Sequence, residues 1–160
     1  MQPPGYAATI HNAEHLLHNL TALIGGARRA GVPVLYVQHV NDGALARGSD
    51  AWRLHPRNQP LPTEPIVHKR HGNAFEETVL RHELDSRHVR TLVMAGLVTH
   101  GCVKATCIGA LELGYPIILV SDAHSSFNKQ AAKRIDEWNQ KLSGLGAELR
   151  ATREVDFWQL

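Results

Sequence analysis

Residues 91–120 read TLVMAGLVTHGCVKATCIGALELGYPIILV and contain a complete strand–helix–strand pattern. Thr91–Ala95 and Pro116–Val120 are short apolar runs, as expected for buried strands. The segment between them, from about Gly101 to Leu113, carries apolar residues at helical spacing, and a glycine follows both the first strand and the helix. Strands that are apolar on both faces and alternate with helices are typical of a parallel sheet covered by helices. This stretch therefore predicts an α/β fold.

The same alternation continues on both sides of this unit. Further helices are predicted over Asn12–Ala30, after the capping-box spacing Asn73–Glu76, and over Asn128–Leu142. Further strands are predicted over Val32–Val37, Ile66–His68 and Ala147–Ala151. Residues 41–65 are rich in Gly, Pro, Asn and Arg and are predicted to form a long functional loop. The pattern predicts a single domain over residues 1–160, with a three-layer, doubly wound, mostly parallel sheet. Ligands in such folds bind at the carboxyl ends of the strands.

Composition limits the classes of function. The chain has 160 residues, 43% hydrophobic residues and a net charge of +2, with its basic residues scattered, which argues against a nucleic-acid partner. No apolar stretch is long enough to cross a bilayer, so no membrane partner is expected. Two cysteines do not make a disulfide framework, and residues 1–9 do not resemble a secretory signal. A reduced, cytoplasmic protein is therefore expected.

Cys102 is the strongest candidate for a catalytic residue. It opens the predicted helix after a strand and a tight turn, where unpaired backbone N–H groups and the helix dipole favour a thiolate. The same N–H groups can hold the oxyanion of a tetrahedral intermediate. The alternative is a buried, inert cysteine, which is the expected role of Cys107 on the apolar face of the same helix.

Lys69 is the second candidate. It follows a short strand, and a lysine at this end of the sheet would point towards the ligand edge. Close to a thiolate, its ammonium group would stabilise the negative charge and orient a substrate. A solvated surface lysine is the alternative.

These residues belong to a set of motifs that resembles the isochorismatase-like cysteine hydrolases, which include nicotinamidases and other amidohydrolases. The resemblance covers nearly the whole chain and rests on Lys69-x5-Phe75-x2-Thr78-x-Leu80, Gly96-x2-Thr99-x2-Cys102-Val103-x2-Thr106, Gly114-Tyr115 and Asp122-Ala123. It implies a Rossmann-like three-layer fold, a Cys102 nucleophile, a supporting Lys69 and a homo-oligomer, either a dimer or a tetramer. It also implies a general-base Asp at the end of the first strand and a cis peptide between Val98 and Thr99.

The chain departs from this family at its beginning. The family's first strand is central and ends in Asp-Met-Gln, whereas this chain begins with Met1-Gln2. The strand and its Asp are therefore expected to lie upstream of Met1, which would impair catalysis. The two flanking strands would then close up and pair directly, a partner chain would fill the gap, or the protein would be unstable. Asp42 is a weak substitute for the missing base.

Other residues are expected around the nucleophile rather than in the chemistry. His39 ends a strand and His100 adjoins Cys102, so both are predicted to line the pocket. Trp52 in the long loop would cover it, and Phe75 is expected to contact substrate. The turn that holds the oxyanion is predicted to consist of Val98, Thr99, His100 and Gly101. No metal site is expected, because the histidines lack acidic or cysteine companions and the Asp-x-His metal motif that nicotinamidases carry after the second strand is absent.

The function predicted is hydrolysis of a small amide or a related C–N or C–O bond. Cys102 would attack the carbonyl carbon to give a thioester that water resolves, the N–H groups of residues 100–102 would hold the oxyanion, and no cofactor would be needed. The alternative is a non-catalytic small-molecule-binding or scaffold module that kept the fold. A redox thiol pair is disfavoured, because Cys102 and Cys107 would face different directions on one helix.

Overall fold

The structure, a computed structural model, describes residues 10–127 and 129–160. Within these residues, five strands and four α-helices follow one another in the order α1 (Ala13–Arg29), β1 (Tyr36–His39), β2 (Ile66–Lys69), α2 (Leu80–Ser86), β3 (Leu92–Leu97), α3 (Lys104–Glu112), β4 (Ile117–Ser125), α4 (Ala131–Gly144) and β5 (Glu148–Arg150). Residues 41–65 form the long loop that was predicted, with one short 3₁₀ turn at Pro56–Asn58. No helix in the described ranges combines the length and the apolar character needed to span a bilayer.

The strands form two parallel sheets. One contains β1 and β2, with Tyr36 opposite Ile66 and His39 opposite Lys69. The other has the order β3-β4-β5, with Leu92 opposite Ile117. Every strand pair in the described residues is parallel, which confirms the prediction of an α/β fold with a parallel sheet.

Two adjacent residues in β4 show which helices lie on each face of the sheet, because neighbouring side chains of a strand point to opposite faces. Leu119 belongs to the larger core cluster, which it shares with Cys107 of α3 and Leu142 of α4. Val120 packs instead with Leu23 of α1. Helices therefore cover both faces of the β3-β4-β5 sheet, as a three-layer architecture requires.

The edges of β1 and β3 are not hydrogen-bonded to each other in the part of the chain that the structure describes. Direct closure of the two flanking strands, one of three outcomes expected at the sequence level, is therefore not observed. Apolar residues remain accessible on both strands: Val37 is 39% exposed and Ala95 is exposed, whereas β4 is buried along most of its length. The predictions about Met1-Gln2, and about a strand and Asp before them, lie outside the described residues.

Several elements begin later than predicted, and β1 and α2 differ most. The strand expected over Val32–Val37 is β1, which begins at Tyr36; the Val32 N–H bonds instead to the Ala27 carbonyl at the end of α1. The helix expected behind Asn73–Glu76 begins at Leu80. Asn73 Oδ1 accepts a hydrogen bond from the Phe75 N–H, only two residues on, so it forms a local turn rather than a helix cap.

The segment around Cys102 also differs from its prediction. A wide turn at Thr99–Val103 precedes α3, and the regular helix begins only at Lys104. The cis peptide joins Leu97 to Val98, one bond earlier than the resemblance implied. Cys102 therefore lies in the turn before α3 rather than in the helix itself.

Candidate active site

Lys69 ends β2 and is 4% exposed. Its Nζ lies 2.9 Å from Cys102 Sγ, 2.8 Å from the His71 carbonyl oxygen and 3.0 Å from His39 Nδ1. An ammonium group has three N–H donors, and these three acceptors account for all of them. The structure therefore brings together Lys69, Cys102 and His39, which are far apart in the sequence, and it excludes a solvated surface lysine.

The two cysteines have opposite environments. Cys102 is partly exposed and accepts a hydrogen bond from an ammonium group, which stabilises a thiolate more than a thiol. Cys107 is fully buried among apolar side chains, and this burial raises the pKa of its thiol to about 12. The interpretation of Cys107 as a core residue is therefore consistent with its surroundings.

His39 is held in its neutral form by its position. Its pKa is lowered below the ordinary value, mainly because burial disfavours the charged ring and secondly because of the positive charge of Lys69. A neutral ring whose Nδ1 accepts from Lys69 carries its proton on Nε2. His39 thus contacts Lys69, and its expected role in lining the substrate pocket stays a prediction.

The loop after Lys69 is attached to the helix after Cys102. Thr106 Oγ1 in α3 accepts a hydrogen bond from the Ala74 N–H at 3.0 Å and donates to the Gly72 carbonyl at 3.4 Å. Gly109, one turn further on, lies against the Asn73 side chain so closely that a methyl group would not fit. These contacts fix β2 relative to α3 and thereby fix the separation of Lys69 from Cys102. Thr106 is part of the sequence motif, but its spacing alone does not indicate this role.

The turn before Cys102 is anchored by a buried chain of hydrogen bonds. Thr99 is fully buried, and its Oγ1 lies 2.9 Å from Nδ1 of His124 in β4. His124 Nε2 in turn lies 2.9 Å from Asn139 Oδ1, and the Asn139 amide donates to the Ser121 carbonyl. This pattern makes Thr99 the donor and His124 a neutral acceptor; burial lowers the pKa of His124 in agreement. The sequence motif included Asp122 and Ala123 but not His124, so this anchor was missed.

The turn itself limits which N–H groups are available. The Val98 carbonyl accepts from the Gly101 N–H at 3.0 Å and from the Val103 N–H at 3.2 Å. The Gly101 N–H is thus engaged within the turn, which leaves those of His100 and Cys102 as the candidates for an oxyanion. The His100 ring lies beside Cys102 in sequence and contacts Ser126 Oγ through Nδ1 at 3.1 Å. The roles of these backbone groups stay predictions.

A cavity of about 370 Å³ opens beside Lys69. Trp52 does not line this cavity, but its ring stacks on His68, which does, with a centroid distance of 5.7 Å. Its expected role as a cover stays a prediction. Phe75 lies elsewhere: it stacks on Tyr115 and packs against the larger core cluster. Its expected contact with substrate stays a prediction. The cavity is lined by Val40, Arg47, His68, Lys69, Arg70, His71 and Glu77.

Carboxylates near these groups have other partners. Asp42 makes a 3.3 Å ion pair with Arg70 at the surface, with its side chain 92% exposed. Asp122 accepts from the N–H and hydroxyl of Thr152, a structural role. In residues 10–127 and 129–160, no carboxylate hydrogen-bonds to Lys69, Cys102 or His39. The same residues contain no cluster of three or more metal-ligating side chains.

Comparison with known proteins identifies the family. The model of the isochorismatase domain matches residues 1–143. The chain belongs to the isochorismatase family. It is 35% identical over 155 residues to a streptothricin hydrolase of Streptomyces noursei, covering 94% of this chain but only 55% of that protein. It is 30% identical over 136 residues to the isochorismatase family protein YddQ of Bacillus subtilis, covering 82% of this chain and 76% of that one.

Solved structures agree with this assignment. A crystal structure of an isochorismatase family protein has a TM-score of 0.85 and 27% identity, and the match covers 94% of this chain and 90% of that chain. A cysteine hydrolase from Pseudomonas syringae pv. phaseolicola has a TM-score of 0.86 over 96% of this chain and 84% of its own, at 23% identity, and supports the fold alone. The resemblance in sequence and the observed architecture therefore lead to the same family.

Proposed function

We propose that the chain hydrolyses a small amide with Cys102 as the nucleophile. The 2.9 Å contact between Lys69 Nζ and Cys102 Sγ carries this proposal, because Lys69 is almost fully buried and holds a positive charge against the sulfur. The names of related proteins support amide chemistry: they include a nicotinamidase of Arabidopsis thaliana and an N-carbamoylsarcosine amidase of Arthrobacter.

The proposed reaction has two stages. The thiolate attacks the carbonyl carbon, and the N–H groups of His100 and Cys102 stabilise the oxyanion. The C–N bond then breaks, Lys69 transfers a proton to the leaving nitrogen, and a thioester remains on Cys102. Water adds to the thioester and transfers one proton to neutral Lys69, so that the thiolate and ammonium are regenerated and the acid is released. Each cycle consumes one amide and one water.

A non-catalytic binding module is the second candidate. One observation favours it: in the described residues no carboxylate reaches Lys69 or Cys102 to serve as the general base that the family resemblance implies. Under this alternative the fold and the cavity are kept and the thiol is not used.

Alkylation of the two cysteines separates the candidates. Iodoacetamide reacts with thiolates, so a nucleophilic Cys102 should be modified at neutral pH far faster than Cys107. Trypsin cleaves after Lys104 and places the two cysteines on different peptides, which mass spectrometry quantifies separately. Equal, slow modification of both would support the binding module.

Release of ammonia from a panel of primary amides tests the reaction itself. The Cys102→Ala variant should be inactive, and the matched Cys107→Ala variant should keep its activity if it folds. Activity that survives in Cys102→Ala would overturn the proposal. Trapping the thioester on the peptide that contains Cys102 would give independent support.

We also propose a homo-oligomer and a cytoplasmic location. The accessible apolar residues of β1 and β3 favour contacts between copies, and two unpaired cysteines suit a reducing compartment. Light scattering on the purified chain tests the first statement: a monomer at micromolar concentration would contradict it. Fractionation of the source cells tests the second.

A further inference from the structure

The cavity beside Lys69 has an excess of positive charge. Three of its lining residues, Arg47, Lys69 and Arg70, are cations, and the only acidic one is Glu77. The Glu77 carboxylate is directed at His71, with Oε2 3.0 Å from Nε2 of that ring, so it does not compensate the arginines. Arg70 pairs only with Asp42, at 3.3 Å and in a solvent-exposed position where such a pair is weak.

Arg47 is the least compensated of these cations. Among residues 10–127 and 129–160, the side chain of Arg47 has one polar contact, Nη2 to His68 Nδ1 at 3.4 Å, and no carboxylate there lies within ion-pair distance of its guanidinium group. His68 Nε2 is 3.2 Å from Gln38 Oε1, so the ring donates to the amide oxygen and presents Nδ1 as an acceptor. A neutral acceptor orients Arg47 without cancelling its charge. The other N–H donors of the guanidinium group remain available to a ligand.

We propose that this cavity binds the carboxylate of an amide substrate through Arg47, with Arg70 as a second cation. The substrate class is then a small acid that carries an amide, with its acidic end at Arg47 and its amide end towards Lys69; Cys102 does not itself line the cavity. This inference rests on the proposed function for the identity of the reacting group, whereas the anion site rests on the cavity and its charges alone.

The chemistry of the site favours a carboxylate over a neutral group. A guanidinium group binds a carboxylate through two parallel hydrogen bonds. A neutral amide in the same place would accept fewer and weaker bonds. Because Arg47 and Arg70 are accessible to solvent, the preference should weaken as ionic strength rises.

Matched ligands test the site without any catalysis. Succinamate and glutaramate carry one carboxylate and one amide, whereas succinamide and glutaramide replace the carboxylate by a neutral group of nearly the same size. Binding to the Cys102→Ala variant is followed by tryptophan fluorescence, because Trp52 stacks on the cavity wall; Trp52→Phe should remove the signal. We expect the acids to bind about 10- to 100-fold more tightly than the diamides.

Two arginine variants locate the effect. Arg47→Gln should remove most of this preference, whereas Arg53→Gln should keep it, because Arg53 lies in the same loop but pairs with Asp50 and does not line the cavity. Equal affinities for acids and diamides would overturn the proposal, as would equal losses in both variants.

The test of the anion site and the test of the Cys102 nucleophile can be read independently of each other. If the chain binds the acids selectively but hydrolyses nothing, the anion site stands and the proposed function fails. If it hydrolyses diamides and acids with equal efficiency, Cys102 chemistry stands and the anion site fails. In an active chain, Arg47→Gln should raise KM for succinamate more than KM for succinamide, whereas Arg53→Gln should change neither.

Discussion

Replacing Lys69 by Met should slow the reaction of Cys102 while keeping the volume of the side chain. The substitution removes a charge-assisted hydrogen bond of 2.9 Å to Sγ. Such bonds contribute about 1.5–3 kcal/mol, and each 1.4 kcal/mol corresponds to a factor of about ten. The rate of Cys102 alkylation at neutral pH should therefore fall about 10- to 100-fold.

The assay is the time course of iodoacetamide labelling on the tryptic peptide that ends at Lys104. Cys107 provides an internal control, since its thiol is fully buried and its slow rate should not change. Lys141→Met is the matched variant: it also removes a lysine, one that lies over the Trp138 ring and does not contact the sulfur. Its labelling rate at Cys102 should equal that of the unmodified chain.

Loss of folding must be measured in the same samples. Lys69→Met leaves His39 Nδ1 and the His71 carbonyl without their donor, and buried unpaired groups of this kind cost about 1–3 kcal/mol each. Thermal unfolding followed by circular dichroism shows whether the variant is folded at the assay temperature. A folded Lys69→Met protein that reacts as fast as the unmodified chain would refute the role assigned to the ammonium group.

Three further changes follow from the geometry. Burial and the neighbouring ammonium group lower the pKa of His39, so its ring stays neutral and accepts from Lys69 until pH falls below the ordinary histidine range. The ratio of Cys102 labelling in the unmodified chain to that in His39→Gln, which accepts but cannot titrate, should be constant above that range and fall only at lower pH. His124→Ala breaks two buried hydrogen bonds and should lower the free energy of unfolding by about 1–3 kcal/mol in urea titrations. In the unmodified chain the pKa of His124 is lowered by burial, so the unfolded state binds the proton first as pH falls. The free energy of unfolding should therefore decrease as pH drops below the ordinary histidine value. Gly109→Ala should lower the free energy of unfolding by about 1–3 kcal/mol, because the new methyl group would overlap the Asn73 side chain. Gly144→Ala, in a helix with open space around it, should leave the free energy of unfolding unchanged or raise it. Equal effects of the two substitutions would contradict the packing described.

Periodicity and residue type were sufficient to predict the main elements. The strand around Val93, the helix that contains Cys107 and the strand around Leu119 lie where the apolar pattern places them, because buried strands and helices must be apolar at those spacings. Element ends were less predictable, since they depend on contacts from distant residues. Tyr36 begins β1 because its N–H bonds to the Pro65 carbonyl, and no local pattern encodes that partner.

The sequence indicated the two residues proposed to take part in the reaction, but not the residues that anchor the turn and line the cavity. Cys102 and Lys69 could be singled out because each follows a strand at the ligand edge of the sheet and because both belong to the motifs that carry the family resemblance. His124 and Arg47 could not, because their significance lies in partners 25 and 21 residues away in sequence. A histidine or arginine in isolation is compatible with many roles, and only the fold shows which acceptor or cavity it faces.

The geometry of Lys69 and Cys102 is maintained although their strands belong to separate sheets. Lys69 ends β2, and Cys102 follows β3, so no strand pairing in the described residues connects them. What connects them is local: Thr106 binds the backbone on both sides of residue 73, and Gly109 admits the Asn73 side chain against α3. The loop–helix contact therefore sets the distance between nitrogen and sulfur. Substitutions at Thr106 or Gly109 should consequently alter Cys102 reactivity more than substitutions at Tyr36 or Val37 of β1, although β1 lies beside β2 in the sheet.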